Sequence, residues 1–196
     1  MPSYASLLKW IDAQLPAMSA LLWEWTDLNT GTDNVPSLQR FAARLAEKFA
    51  AIAPDRQLVP LPPRMIIDDN GERGHRDVGP LLRLRSPFRH GIRVLLAIHY
   101  DTVFPLDHPF QDASPLDERT LRGPGVADAK GGLIVLLLAL RALERSPYRA
   151  HLAWEVLLNP DEEVGSPSSA PLFAEAAARH DLALLFEPAL PDGSLA

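Results

Sequence analysis

Residues 92–101 read Ile92-Arg93-Val94-Leu95-Leu96-Ala97-Ile98-His99-Tyr100-Asp101. Ile92 to Ile98 is a nearly continuous apolar run of strand length, as in a strand buried on both faces, and it closes on a polar triplet. Residues i and i+2 of an extended chain face the same side, so Asp101 can reach the ring of His99. That contact would fix the tautomer of the imidazole and leave its other nitrogen free for a ligand. Buried strands of this kind belong to α/β sheets, which place their ligand sites at the carboxyl ends of the strands.

The flanking sequence supports that class. Downstream, Ala129 to Arg145 reads as a strongly apolar helix, and Leu152, Trp154, Val156 and Leu158 alternate as a strand does. Ser168 to His180 is helical in pattern, and Leu182 to Phe186 reads as another buried strand. Between them, Val103 to Ala127 is rich in Pro, Asp and Gly and reads as a long loop without structure of its own. Upstream, Met1 to Leu28 carries apolar residues at helical spacing, with Pro16 expected to break or kink it. Leu38, Phe41, Leu45, Phe49 and Ile52 step by three and four, predicting a helix over Val35 to Ile52 with Pro36 in its first turn. Short strands are expected at Leu58-Val59, Met65 to Ile67 and Leu81 to Leu84, around a turn at Asp69-Asn70-Gly71. The alternation predicts a central, mostly parallel mixed sheet flanked by helices.

Composition limits the chemistry. With 196 residues, 47% of them hydrophobic, the chain can bury the core of one ordinary domain. The net charge is −6 and no run of Lys or Arg stands out, which argues against nucleic acid as a partner. The absence of cysteine excludes disulfides and thiolate-bound metal, so any metal here needs His, Asp and Glu. Met1 to Trp10 lacks the basic then apolar order of a signal peptide, and the apolar run Leu133 to Leu140 is too short to span a bilayer. A soluble, cytoplasmic protein without a membrane partner is the expectation.

Four polar clusters follow the apolar strands. The first is His99-Tyr100-Asp101. In the second, Gly123-Pro124-Gly125-Val126-Ala127-Asp128-Ala129-Lys130-Gly131-Gly132, glycines permit a tight path that brings Asp128 to the mouth of the next helix. The third is Asp161-Glu162-Glu163, whose adjacent carboxylates point in different directions, and the fourth is Glu187. Each has an ordinary reading: a hydrogen-bonded surface pair, a phosphate loop, a solvated acidic pair, a turn residue. The phosphate-loop reading lacks the Lys-Ser/Thr spacing and leaves the carboxylates of the third and fourth clusters without a role. Taken together, in this order, the clusters suit zinc, with cobalt or manganese as alternatives.

The motifs Leu95 to Val103, Gly123-x-Gly-x-x-Asp128-x-Lys-Gly-Gly132, Asp161-Glu162-Glu163-x-Gly-Ser166 and Phe186-Glu187-Pro188 resemble the zinc peptidase family of aminoacylases, acetylornithine deacetylases, succinyl-diaminopimelate desuccinylases and glutamate carboxypeptidases. The wording is most similar to the glutamate carboxypeptidase branch. The resemblance implies a zinc-exopeptidase-like fold and hydrolysis of peptide or N-acyl amino acid amide bonds by a water activated between two zinc ions. It implies His99, Asp128 and Glu187 on one metal, Asp128 bridging to a second, and Glu163 on that second metal. Glu162 would be the general base and Asp101 the partner that orients His99. A cis peptide is implied at Asp128-Ala129, and a homodimer is allowed in the complete form.

The family takes a further His for its second metal from a late segment, and His75, His90, His108, His151 and His180 match no ligand position and read as ordinary surface or loop residues. The chain ends nine residues after Glu187. The expectation is therefore that residues 1–196 are the N-terminal portion of the catalytic domain, without lid or late catalytic segment. A catalytically inert chain that binds at most one metal, or serves as an interaction module, is the alternative reading.

Overall fold

A computed structural model describes residues 4–87, 90–118, 120–189 and 193. The first helical stretch divides into α1, Tyr4–Asp12, and α2, Leu15–Thr26. Pro16 sits in the first turn of α2, where its missing N–H costs nothing, and the helix restarts there instead of bending. Residues 1–3 of the expected stretch lie outside the described residues. α3 spans Val35–Phe49, capped by the Asn34 side chain, which accepts from the Ser37 N–H. Its buried stripe is Leu38, Phe41, Ala42, Leu45 and Phe49, the three-and-four spacing of the sequence. Ile52 belongs to the turn that follows.

Strands β1 (Asp55–Val59), β2 (Arg64–Ile67), β3 (Arg73–Arg76), β4 (Leu81–Arg85) and β5 (Ile92–His99) come next. β2 and β3 form a separate hairpin across Asp69-Asn70-Gly71. The Val103 to Ala127 loop is not structureless: β6 (Ser114–Asp117) and β7 (Thr120–Arg122) pair as an antiparallel hairpin within it. α4 (Gly132–Arg145), β8 (Leu152–Asn159), α5 (Ala170–Ala177) and β9 (Leu182–Leu185) complete the described elements. α5 is shorter than the predicted Ser168 to His180 helix.

The central sheet has the order β1-β4-β8-β5-β9. β1 and β8 each pair antiparallel with β4, while β8 and β9 flank β5 in parallel. One face carries the main core, where Trp25, Phe41, Leu45, Leu133 and Leu137 pack over Leu84, Leu96, Val156 and Leu158. α5 covers the other face, with Leu172, Phe173 and Ala176 against Leu81, Leu95 and Leu157. Helices on both faces and a mixed sheet are the α/β class expected from the alternation.

One expected buried strand is not buried. Leu182 and Leu184 are half-exposed and Leu185 is 69% exposed, because β9 is the edge of the sheet and pairs only with β5. No helix among the described residues is long and apolar enough to cross a membrane.

Candidate metal centre

Strand register brings the polar clusters to one level. His99 lies opposite Asn159 across β5 and β8, so the chain leaving β8 delivers Asp161-Glu162-Glu163 just beyond the imidazole. Ala97 lies opposite Leu185, so Glu187, two residues further on, comes level with His99 on its other side. Three parallel strand ends thus converge with the loop that carries Asp128.

His99 is buried, and its Nδ1 lies 3.2 Å from Asp101 Oδ1. Asp101 is fully buried and acts as a hub. Its Oδ1 also accepts from the Glu162 N–H at 3.2 Å, and its Oδ2 accepts from the Glu163 N–H at 3.3 Å and from Thr32 Oγ1 at 2.7 Å. A carboxylate that only accepts directs the imidazole proton to Nδ1 and turns Nε2 outward, toward the other carboxylates.

Asp128 lies in an irregular turn over Val126–Gly131, entered through Gly125 at φ 75°, where a side chain would be strained. The Asp128-Ala129 peptide is cis, as the resemblance implied. At Gly132, a Cβ would stand 2.5 Å from Ile98 Cδ1 and 2.8 Å from the Phe186 carbonyl oxygen. Only glycine lets the start of α4 come this near the ends of β5 and β9. Beneath the turn, the buried Lys130 donates from Nζ to the Leu28 carbonyl at 2.7 Å, and burial pushes its pKa down to about 7.

Glu162 and Glu163 lie in the short turn Glu162–Val164. Asp161 is buried under that turn, its Oδ2 accepting from the Ser168 and Ser169 N–H groups at 2.9 and 3.1 Å and its Oδ1 from Ser169 Oγ at 2.6 Å. This buried carboxylate absorbs the residues expected to open α5 and fixes the turn that presents both glutamates.

The donor atoms converge. His99 Nε2 is 2.7 Å from Asp128 Oδ1, 3.9 Å from Glu187 Oε2 and 4.0 Å from Glu162 Oε2. Ligand atoms of His99, Asp128 and Glu163 all lie within 4.8 Å of one another. The resemblance assigned Glu163 to a second ion; here its carboxylate gathers with His99 as well as Asp128.

Burial first, and then the crowding of like charge, shape the titration of the group. Burial raises the pKa of Glu163 to about 7, helped by the nearby Asp128 carboxylate. Burial likewise raises Glu187, with Glu162 and Asp128 adding to the shift and His99 opposing it. For His99, burial disfavours the charged ring, but Asp101 and then Asp128 hold its proton and bring the pKa up to about 9. An imidazole nitrogen among carboxylates that raise one another's pKa is a donor set suited to a divalent cation, which would relieve that repulsion.

Asp161 and Lys130 fall inside the sequence motifs, but residue type and spacing alone give neither a role. Thr32 carried no signal, since it stands 69 positions from Asp101. Of the remaining histidines, His180 is not a surface residue. Its side chain is buried, with Nδ1 against the Ala176 carbonyl and Nε2 3.7 Å from the buried Glu155.

Residues 95–196, just over half of the chain, match the sequence model of Peptidase family M20/M25/M40. The chain belongs to this family. Among its relatives, Carboxypeptidase G2 from Pseudomonas sp. (strain RS-16) is 38% identical over 100 residues, which cover 51% of this chain and 24% of that protein. The fold is similar to that of human carnosine dipeptidase 1, with TM-score 0.76 and 17% identity over 94% of this chain and 41% of the other. It is also similar to the M20 family metallo-carboxypeptidase Sso-CP2 from Sulfolobus solfataricus, with TM-score 0.66 and 15% identity over 90% and 38% of the two chains. This M20 chain therefore spans about a quarter of the curated relative and about two fifths of these structures.

Proposed function

We propose that the protein carrying this segment is a metal-dependent hydrolase of peptide or N-acyl amino acid amide bonds. The observation that carries the reading is the convergence of His99 Nε2 with the carboxylates of Asp128, Glu162, Glu163 and Glu187 at the ends of parallel strands. His99, Asp128, Glu163 and Glu187 are the residues that would hold zinc, two ions in the complete family site, with Co2+ or Mn2+ able to use the same donors. Zinc bound there supplies a Lewis acid that acidifies water and polarises a carbonyl.

The rest of the chemistry belongs to side chains. Asp101 keeps the proton of His99 on Nδ1 and so keeps Nε2 available as a donor. Glu162 is half-exposed at the rim, free of the hydrogen bonds that occupy Asp101 and Asp161. Its carboxylate takes a proton from the attacking water and returns it to the departing amine nitrogen. The relatives, a carboxypeptidase and a dipeptidase, support a small peptide as substrate.

A second reading, a segment that binds at most one metal without turnover or acts as an interaction module, has one observation in its favour. Among the described residues only one imidazole, that of His99, joins the candidate cluster. Zinc titration by calorimetry on this chain, with Asp128→Ala as control, tests both. One site that vanishes in the variant supports the metal-centre reading, and two tight sites make turnover by this chain plausible. Absence of binding sinks the metal-centre reading.

A further inference from the structure

We infer that Thr32 is a positioning residue for the metal centre, acting through Asp101; the inference rests on the proposed function. Thr32 lies outside the segment matched by the family model, in the loop between α2 and α3. Its hydroxyl is nonetheless the nearest donor to Asp101. The Oγ1–Oδ2 distance is 2.7 Å, against 3.2 to 3.3 Å for the His99 ring and the two backbone N–H groups that share the carboxylate.

The loop that brings this hydroxyl is held on several sides. The Thr102 N–H donates to the Thr30 carbonyl at 2.9 Å and the Thr32 N–H to the Thr102 carbonyl at 3.2 Å, so residues 30–32 run beside Thr102 like a short added strand. A Cβ on Gly31 would run into the Phe104 carbonyl oxygen, which explains why the approach needs glycine. One residue on, Asp33 accepts from Arg64 at 2.7 Å and Arg76 at 2.5 Å, tying the loop to the β2–β3 hairpin. Asn34 then caps α3.

The consequence follows from the sharing of oxygens. Without the Thr32 hydroxyl, Asp101 Oδ2 keeps only the long contact from the Glu163 N–H. The carboxylate is then held only by the longer contacts, at 3.2 to 3.3 Å, from His99 Nδ1 and the Glu162 and Glu163 N–H groups, so its plane and the His99 ring that leans on it are fixed less firmly. Thr32 thus couples the N-terminal loop to the direction in which Nε2 points.

The test is zinc binding by calorimetry on the whole chain, with thermal melts of the metal-free proteins as a check on folding. Thr32→Val removes the donor at equal size, Thr32→Ser keeps it, and Thr32→Cys weakens it should the valine variant fail to fold. Loss of a partner that orients a ligand typically costs about 10–100-fold in metal affinity. Thr32 stands one contact further out than such a partner, so a loss at the lower end, about 10-fold, is expected for Thr32→Val, a smaller loss for Thr32→Cys, and near wild-type binding for Thr32→Ser. In an Asp101→Ala background, Thr32→Val should add no further loss, since the two act in series. Equal zinc affinity in folded Thr32→Val or Thr32→Cys and wild type overturns the inference alone, as does an undiminished loss in the Asp101→Ala background. Failure of the wild type to bind zinc overturns the proposed function along with it.

Discussion

His99 Nδ1 lies 3.2 Å from Asp101 Oδ1 while its Nε2 lies 2.7 Å from Asp128 Oδ1, so one buried ring is held by a carboxylate on each nitrogen. The two carboxylates are not equivalent. Asp101 is fully buried and saturated with donors, whereas the Asp128 side chain is half-exposed. Asp101→Asn should therefore disturb the ring without removing a ligand. An amide can turn its NH2 toward Nδ1, which moves the ring proton to Nε2, where it competes with a metal. The expected result is a fall in zinc affinity of about 10–100-fold, read by calorimetry. Unchanged affinity would mean that Asp101 serves packing alone.

Glu162 and Glu163 are neighbours with different surroundings, and the difference predicts a separation of functions. Glu163 falls inside the donor cluster and its pKa is raised to about 7 by burial and Asp128, while Glu162 stands at the rim. Glu162→Gln should leave zinc content nearly intact. In the protein carrying this segment it should lower turnover by about 10²–10⁴-fold, the usual contribution of a positioned proton carrier. Glu163→Gln should instead lower metal occupancy. Metal analysis beside amide-bond hydrolysis assays separates the two, and full activity in Glu162→Gln would remove it from the mechanism.

Much of this geometry was legible because strands have short-range rules. The i, i+2 relation of His99 and Asp101 needs only an extended chain, and buried strands point their polar ends to one edge of the sheet. Other features depend on partners distant in sequence. An apolar run such as Leu182 to Phe186 reads alike in a central or an edge strand, and only the order β1-β4-β8-β5-β9 exposes it. β3, Arg-Gly-His-Arg, has no apolar alternation and owes its form to pairing with β2 and to the grip of Asp33 on Arg64 and Arg76. α5 starts late because Ser168 and Ser169 are engaged by Asp161, a tertiary demand that helical periodicity does not express.

The metal-free protein should lose stability as pH rises. Glu163 and His99 both have folded-state pKa values above their ordinary ones, about 7 against 4.5 and about 9 against 6.5. Between each pair of values the folded state holds the proton that the unfolded chain has released, so stability falls as pH climbs through that window. The two windows overlap between about pH 6.5 and 7 and together run from about pH 4.5 to about pH 9. Metal binding displaces these protons, so zinc affinity should move the opposite way and increase with pH. The buried Lys130, held down to about 7, works the other way above that pH, so thermal melts in chelator at pH 5 and pH 7 check the first statement, and calorimetry at two pH values checks the second. A metal-free protein more stable at pH 7 than at pH 5 would contradict this assignment of the protons.

β9 predicts how the chain behaves in solution. Its outer edge has no partner strand among the described residues, and its sequence, Leu-Ala-Leu-Leu, carries no charge, bulge or proline to deter pairing. Beside it an apolar groove runs between Leu182, Leu184 and Phe186 and the α4 residues Leu136, Leu140 and Leu143. An open edge next to an apolar groove favours association between copies at high concentration. Leu185→Lys places a charge at the most exposed position of the strand, where substitutions typically change stability by only about 0.5 kcal/mol. Sedimentation velocity over a concentration series should show association of the wild type, and the lysine variant should shift toward monomer with its melting temperature nearly unchanged. A wild-type chain that stays monomeric at every concentration would show that the edge is protected in a way its exposed leucines do not reveal.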